Sequence, residues 1–154
     1  MGAVKEIVIE NQSLGSLCKS FSLDNPDFHD TLSTFLHDPH LSWALRDLIE
    51  ANTLPNHASI NCARAVEALR VLMTGADTPR SKAWGEFQEA LRLSREFREY
   101  ITDVSTAPRH GNRAPIGSDV TNEITRRAWL IMDRYIVYKK RGSQPLPESE
   151  FPLL

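Results

Sequence analysis

The clearest regularity along the chain lies toward its C-terminal end, where Val120, Ile124, Ala128, Ile131, Tyr135 and Tyr138 are spaced four, four, three, four and three apart. That spacing places all six on one face of a helix with 3.6 residues per turn. Arg126, Arg127, Arg134 and Lys139 fall on other faces, and Ser118-Asp119 offers a cap, so a long helix is expected from there onward. Earlier segments repeat the pattern. Leu41, Leu45, Leu48 and Ile49 predict a helix over 40–51, and Cys62, Val66, Leu69 and Met73 predict one over about 57–73, with Ala63 and Ala65 allowing close approach. Gly75 is a natural stop for the latter.

Thr78-Pro79 is a helix start, because threonine can cap free amides and proline at the first helical position forfeits no bond. The run it opens presents Trp84, Phe87 and Leu91, then Phe97, Tyr100, Ile101 and Val104, as one helix over 80–104 or as two with a bend near Ser94. Before these, FHDTLSTFLHD reads as a short helix closed by Asp38-Pro39. Residues 4–10, VKEIVIE, are β-branched and partly alternating, which suits a strand or an extended arm. The expected fold is therefore all-α: a bundle of about five helices with a short N-terminal extended segment. An extended arm over 1–26, a bundle over 27–141 and a flexible C-terminal tail over 142–154, or a tail that docks on a neighbour, complete the expected layout.

Bulk composition narrows the class. At 154 residues, 41% hydrophobic and 25% charged, the chain has the size and balance of one ordinary globular domain. No apolar run is long enough to span a bilayer, and the first residues lack the features of a signal peptide, so the expected location is cytoplasmic, with no membrane partner. Cys18 and Cys62 are the only cysteines and form no CxxC pair, which points to reduced thiols rather than a disulfide framework or zinc ribbon. His29, His37 and His40 cluster among aspartates, but His37 and His40 straddle a break, and HExxH is absent. No metal site is expected. Without GxxxxGK[ST], GxGxxG or GxSxG, no cofactor is expected either.

The net charge of −2 hides an uneven distribution. Residues 1–60 hold three Lys/Arg against eight Asp/Glu, residues 61–108 hold seven of each, and residues 109–141 hold eight against three. A basic third of this kind suits a polyanionic partner. It begins at the stretch STAPRHGNRAPIGSD, which reads as a loop over 105–117 before the basic helix. There His110 can move a proton near neutrality, while Arg109 and Arg113 can bind phosphate and stabilise charge on a phosphorane. Asn112, Arg126 and Arg127 are the candidate phosphate-binding residues for RNA. The alternative is a turn in which Gly111 supplies an unusual backbone angle and Arg109 pairs with a carboxylate.

The phrases NCARAVEALRVLM, YITDVSTAPRHG and EITRRAWLIMDRYIVY, within residues 57–140, resemble the HEPN superfamily, and small bacterial members in particular. The resemblance implies a helical bundle that forms a homodimer, in a family with many metal-independent ribonucleases of toxin–antitoxin, phage-defence and stress systems. It implies a catalytic Arg about four to six residues before a His, paired across the dimer. With His110 as that histidine, Val104, Ser105 and Thr106 stand where the arginine belongs. The expectation is a non-catalytic or degenerate HEPN-like module that dimerises and binds RNA or a cognate protein partner. Its alternative is a ribonuclease using His110 with Arg109 or Arg113.

Overall fold

At Asp38-Pro39 the chain ends one helix and starts the next in two residues. The Asp38 carboxylate accepts from the amides of His40 (3.0 Å) and Leu41 (3.1 Å), and Pro39 occupies the first helical turn, where its missing N–H costs nothing. The computed structural model describes residues 18–22, 24–111, 114 and 116–154, in which the helices are α1 (Phe28–His37), α2 (Pro39–Thr53), α3 (Ala58–Thr74), α4 (Arg80–Leu91), α5 (Arg95–Arg109) and α6 (Ser118–Lys140). A short 3₁₀ turn at Lys19–Phe21 precedes α1, and another at Pro55–His57 links α2 to α3. Among the described residues there is no strand, so the molecule is the expected all-α bundle, with six helices in place of about five. The strand-like run 4–10 lies outside the described residues.

The open choice at Ser94 resolves into two helices. Arg92 adopts a left-handed conformation (φ 56°), which ends α4, and the Ser94 hydroxyl then accepts from the Phe97 amide at 3.1 Å to start α5. Two expected caps differ in detail. Gly117, not Ser118-Asp119, holds the cap position of α6, and the Thr78 hydroxyl donates back to the Thr74 carbonyl rather than accepting from α4. Asp119 instead sits in the first turn of α6, where a carboxylate complements the helix dipole.

The central helix is α3, which packs against α2, α4, α5 and α6. Its neighbours' directions follow from named contacts. Arg64 near the start of α3 meets Asp47 beyond the middle of α2, so these two form an antiparallel hairpin. Arg70 near the end of α3 and Arg98 near the start of α5 both lie over Trp84, so α5 also opposes α3. Cys62 and Thr125, near the starts of α3 and α6, face each other, so those two run the same way. Leu48, Leu69, Phe87, Ile101, Ile124 and Ile131 close the core between them.

Two expectations about side-chain placement change. Ile49, assigned to the buried stripe of α2, is 49% exposed. Leu41, Ala44, Leu48 and Ala51, spaced three, four and three, define the buried face, and Ile49 lies a further 100° around. Arg134, expected on a face of α6 other than the apolar stripe, is only 7% exposed. Its guanidinium donates to the carbonyls of Leu91 (2.8 Å), Arg92 (2.6 Å) and Pro152 (2.6 Å).

Through Arg134, the C-terminal segment expected to be flexible or to dock on a neighbour is held on the chain's own bundle. Leu146 is buried, with its amide donating to Ala90 O at 2.9 Å. Leu154 N donates to Arg92 O (3.1 Å), and Ser94 N donates to Leu154 O (2.6 Å), in the manner of a short β-bridge. Gly142, with φ of 70°, turns the chain back after α6.

Candidate functional site

The stretch expected as a loop over 105–117 begins as helix. α5 runs on through Ser105, Thr106, Ala107, Pro108 and Arg109, although Pro108 has no amide for the Val104 carbonyl. A proline in a last turn forfeits one bond, and the chain recovers others there: the His110 amide donates to Thr106 O and Ala107 O (3.2 Å each). The Gly111 amide donates to Pro108 O at 3.2 Å, and Gly111 adopts φ of 83°. Glycine here is the helix stop, because a side chain at this φ would be strained. Arg109 is thus the last residue of α5 and His110 its C-cap, both exposed.

At this terminus the Arg109 guanidinium complements the negative end of the helix dipole. Among the described residues, no side-chain hydrogen bond or ion pair engages Arg109 or His110. Asn112 and Arg113 lie outside the described residues. Since α5 opposes α3, the Arg109-His110 pair stands at the end of the bundle where α3 begins.

Arg126 and Arg127 converge on one carboxylate. Arg126 forks onto Glu123, Nε to Oε2 at 2.7 Å and Nη2 to Oε1 at 2.8 Å, and Arg127 Nε reaches the same Oε1 at 2.7 Å. Arg127 also donates to the Phe97 carbonyl (3.2 Å) and lies over the Tyr100 and Phe97 rings at 4.2 and 4.8 Å. It is therefore built into the α5–α6 contact, while Arg126 is the more accessible of the two. Hydrogen bonds from Arg126 first and Arg127 second hold the Glu123 pKa down at about 2 against its ordinary 4.5.

A depressed carboxylate pKa stabilises the fold above the ordinary value, and that contribution disappears as pH falls through the depressed one. Glu123→Gln is accordingly expected to lower the melting temperature at neutral pH, with the gap to wild type closing between about pH 5 and about pH 2. A gap that stayed constant across that range would show that the cluster is not coupled to folding.

Among the described residues, no three of His, Cys, Asp and Glu converge as metal ligands, and His37 Nδ1 turns to the Ser33 carbonyl at 2.7 Å. Cys18 and Cys62 are both buried; burial pushes the Cys62 thiol up to about 12 and raises Cys18 further, so both stay protonated. No described helix is long and apolar enough to cross a membrane.

A second concavity lies elsewhere, in the open groove between α2 and α3. It encloses about 780 Å³ and is walled by Trp43, whose ring stands edge-on to His40 at 5.2 Å. Trp43 is 60% exposed, whereas the other tryptophans, Trp84 and Trp129, are buried. At the groove's base Asp47, 8% exposed, pairs with Arg64 at 2.8 Å. Burial raises the Asp47 pKa and the Arg64 charge offsets only part of that rise. The sequence carried a signal for this groove that the apolar stripe hid: His40, Trp43 and Asp47 are spaced three and four, a second stripe along α2. The groove's Trp43 end adjoins Leu72 and Ala76 at the end of α3, opposite to Arg109-His110.

Residues 28–140 match the family model described as domain of unknown function (DUF8168), C-terminal domain. No curated protein and no solved structure matches the chain.

Proposed function

The chain belongs to the family of the DUF8168 C-terminal domain, and we propose that it is a HEPN-like helical module that works by binding rather than by catalysis. In this reading it pairs with a second copy of itself and holds an RNA or a cognate protein, in a bacterial defence or toxin–antitoxin setting. The observation that carries it is Glu123. One carboxylate shared by Arg126 and Arg127 leaves that part of α6 with one uncompensated positive charge, and Arg127 is further tied to α5. Such a cluster supports weak, salt-sensitive phosphate contact through Arg126 better than it supports a charged cleft poised around a transition state. At Arg109-His110, no described side chain is placed to orient the imidazole, as a general base requires.

A second reading is a metal-independent ribonuclease, favoured by the free exposure of Arg109 and His110 at the end of α5. There His110 would take the proton of the substrate 2′-hydroxyl as that oxygen attacks phosphorus, with Arg109 or Arg113 of either copy facing the phosphorane; the P–O5′ bond would then break, leaving a 2′,3′-cyclic phosphate, and the 5′-oxygen would take its proton back from the His110 imidazolium or from water. One assay separates the two. Single-stranded RNA is incubated with the chain and with His110→Ala in EDTA, and binding is followed in parallel by anisotropy against salt. The binding reading expects no cleavage beyond that of His110→Ala and an affinity that falls with salt. Cleavage lost in His110→Ala would give the site to the ribonuclease, and the absence of both RNA binding and self-association would remove both readings.

A further inference from the structure

We infer that the α4–α5 corner is a receptor for an acidic, proline-containing peptide of a partner protein, and that this chain fills it with its own C-terminal segment as a built-in ligand. The inference rests on the binding reading above and gives its protein partner a seat. Backbone, side chains and charge each specify the occupant.

The corner reads main chain. α4 stops at Leu91 and α5 restarts at Arg95, which leaves the carbonyls of Ala90, Leu91 and Arg92 and the amide of Ser94 without a helical partner. Arg134 takes the Leu91 carbonyl, and the segment takes the rest. Ala90 O accepts from the Leu146 amide, Arg92 O accepts from the Leu154 amide, and the Ser94 amide donates to Leu154 O. Arg134 Nη2 adds the Pro152 carbonyl at 2.6 Å, and Arg92 Nε approaches the Phe151 carbonyl at 3.4 Å. Backbone bonding of this kind is how a sheet edge takes up an added strand, and it accepts any chain that presents its carbonyls in the same order.

Side chains add selectivity. Leu146 is buried and Phe151 and Leu154 pack against the core cluster, whereas Leu153 between the last two is exposed. A turn closed by the Phe151 amide on Pro147 O sets Leu146 and Phe151 on the bundle together. Pro147 and Pro152 lack an amide to leave unpaired and fix φ in advance, which reduces the entropy lost on docking.

Charge selects an acidic occupant. Arg92, Arg134 and Arg141 stand around the segment, and among the described residues the carboxylates paired with them all come from it: Glu148 on Arg92 at 3.0 Å and Glu150 on Arg141 at 2.9 Å. A corner of this sign attracts acidic peptides and repels basic ones. Phosphates of a nucleic acid would meet the arginines but would leave the seats of Leu146, Phe151 and Leu154 unfilled. The receptor side, Ala90 to Ser94 with Arg134, lies within the family match over 28–140, while the segment that fills it lies outside. Both ion pairs are exposed and therefore weak, so the segment can yield to a competitor.

A fluorescein-labelled, amidated peptide of residues 145–154, PLPESEFPLL, titrated against the full chain and against Phe151→Ala, tests the assignment by anisotropy. The tethered segment competes with an effective concentration in the millimolar range, so the expected result is weak binding to wild type and binding about tenfold tighter to Phe151→Ala. A peptide with lysine in place of both glutamates binds about tenfold less well. Hydrogen exchange in Phe151→Ala is expected to show the Leu154 amide losing protection while the amides of α3 keep theirs. A Leu154 amide as protected as in wild type, with peptide binding unchanged, makes the segment a fixed part of the fold and overturns the receptor. A released segment with no peptide binding overturns it too, and leaves the binding reading to RNA. Single-stranded RNA that displaces the peptide and binds Phe151→Ala more tightly than wild type gives the corner to phosphate, and overturns the peptide as occupant.

Discussion

Arg134→Ala is expected to lower stability by about 3–4 kcal/mol and to release the C-terminal segment from the bundle. The guanidinium is one of the few charged groups buried in the fold, and no carboxylate among the described residues bonds it directly. Its partners are main-chain carbonyls, of Leu91 and Arg92 at the α4–α5 corner and of Pro152 in the terminal segment. The corner depends on it for a specific reason. Arg92 stands in the left-handed region at φ of 56°, which costs a side-chain-bearing residue roughly 1–2 kcal/mol, and its carbonyl takes bonds from both Arg134 and the Leu154 amide. Burial lowers the Arg134 pKa, and the Arg92 charge lowers it further. An arginine nevertheless stays charged, so its bonds remain charge-assisted. Removing it strands buried carbonyls and undocks Phe151, whose ring lies 5.9 Å from the guanidinium carbon. The loss is smaller than the sum of three charged hydrogen bonds, because the cost of burying the cation disappears with it. For a chain of this length the change corresponds to roughly 10 °C in melting temperature. Hydrogen exchange is expected to show the Leu146 and Leu154 amides losing protection before any amide of α3. A shift below about 1 kcal/mol with unchanged exchange would mean that the segment is held by its apolar contacts alone.

Much of this architecture was legible because it is local. The buried face of α3, Cys62, Val66 and Leu69, and that of α6, Ile124, Ala128, Ile131 and Tyr135, follow from spacing alone, and the structure buries each of them. What escaped is non-local. Arg134 reads as a surface cation until the partners that neutralise its burial cost are known, and those partners are backbone atoms 42, 43 and 18 residues away in sequence, which composition cannot reveal. Pro108 shows the limit of punctuation rules: proline breaks a helix interior but closes a last turn without much penalty, so the expected loop lost its first five residues to α5. Of the candidate site, Gly111 is the backbone device of the turn alternative but Arg109 lacks the carboxylate partner that goes with it among the described residues, and the charges of Arg126 and Arg127 are met by Glu123, which sits three and four residues before them. A carboxylate at that spacing on a helix is itself a sequence signal, and it was the one that decided how much positive charge α6 can offer a partner.

Leu69→Ala is expected to cost about 3–4 kcal/mol, while Ile49→Ala, also the truncation of a large aliphatic side chain, costs well under 1 kcal/mol. Leu69 is fully buried on the helix that every other long helix of the bundle packs against, so the cavity it leaves faces several elements at once. None of them can close it alone. α4 and α5 are pinned at their shared corner by Arg134, and α2 is fixed to α3 by the short Leu54–His57 connection and by Asp47 on Arg64. A site that cannot collapse keeps both the transfer loss and the cavity loss, which places Leu69 toward the upper part of the range for such truncations. Ile49 has neither, being half-exposed one step off the buried face of α2. Urea denaturation of the two variants at a common pH measures the contrast directly, with equal slopes required for the comparison. If Leu69→Ala lost less than about 2 kcal/mol, α3 would be able to shift toward the vacancy, and the rigid hairpin that presents Trp43 would not exist as described.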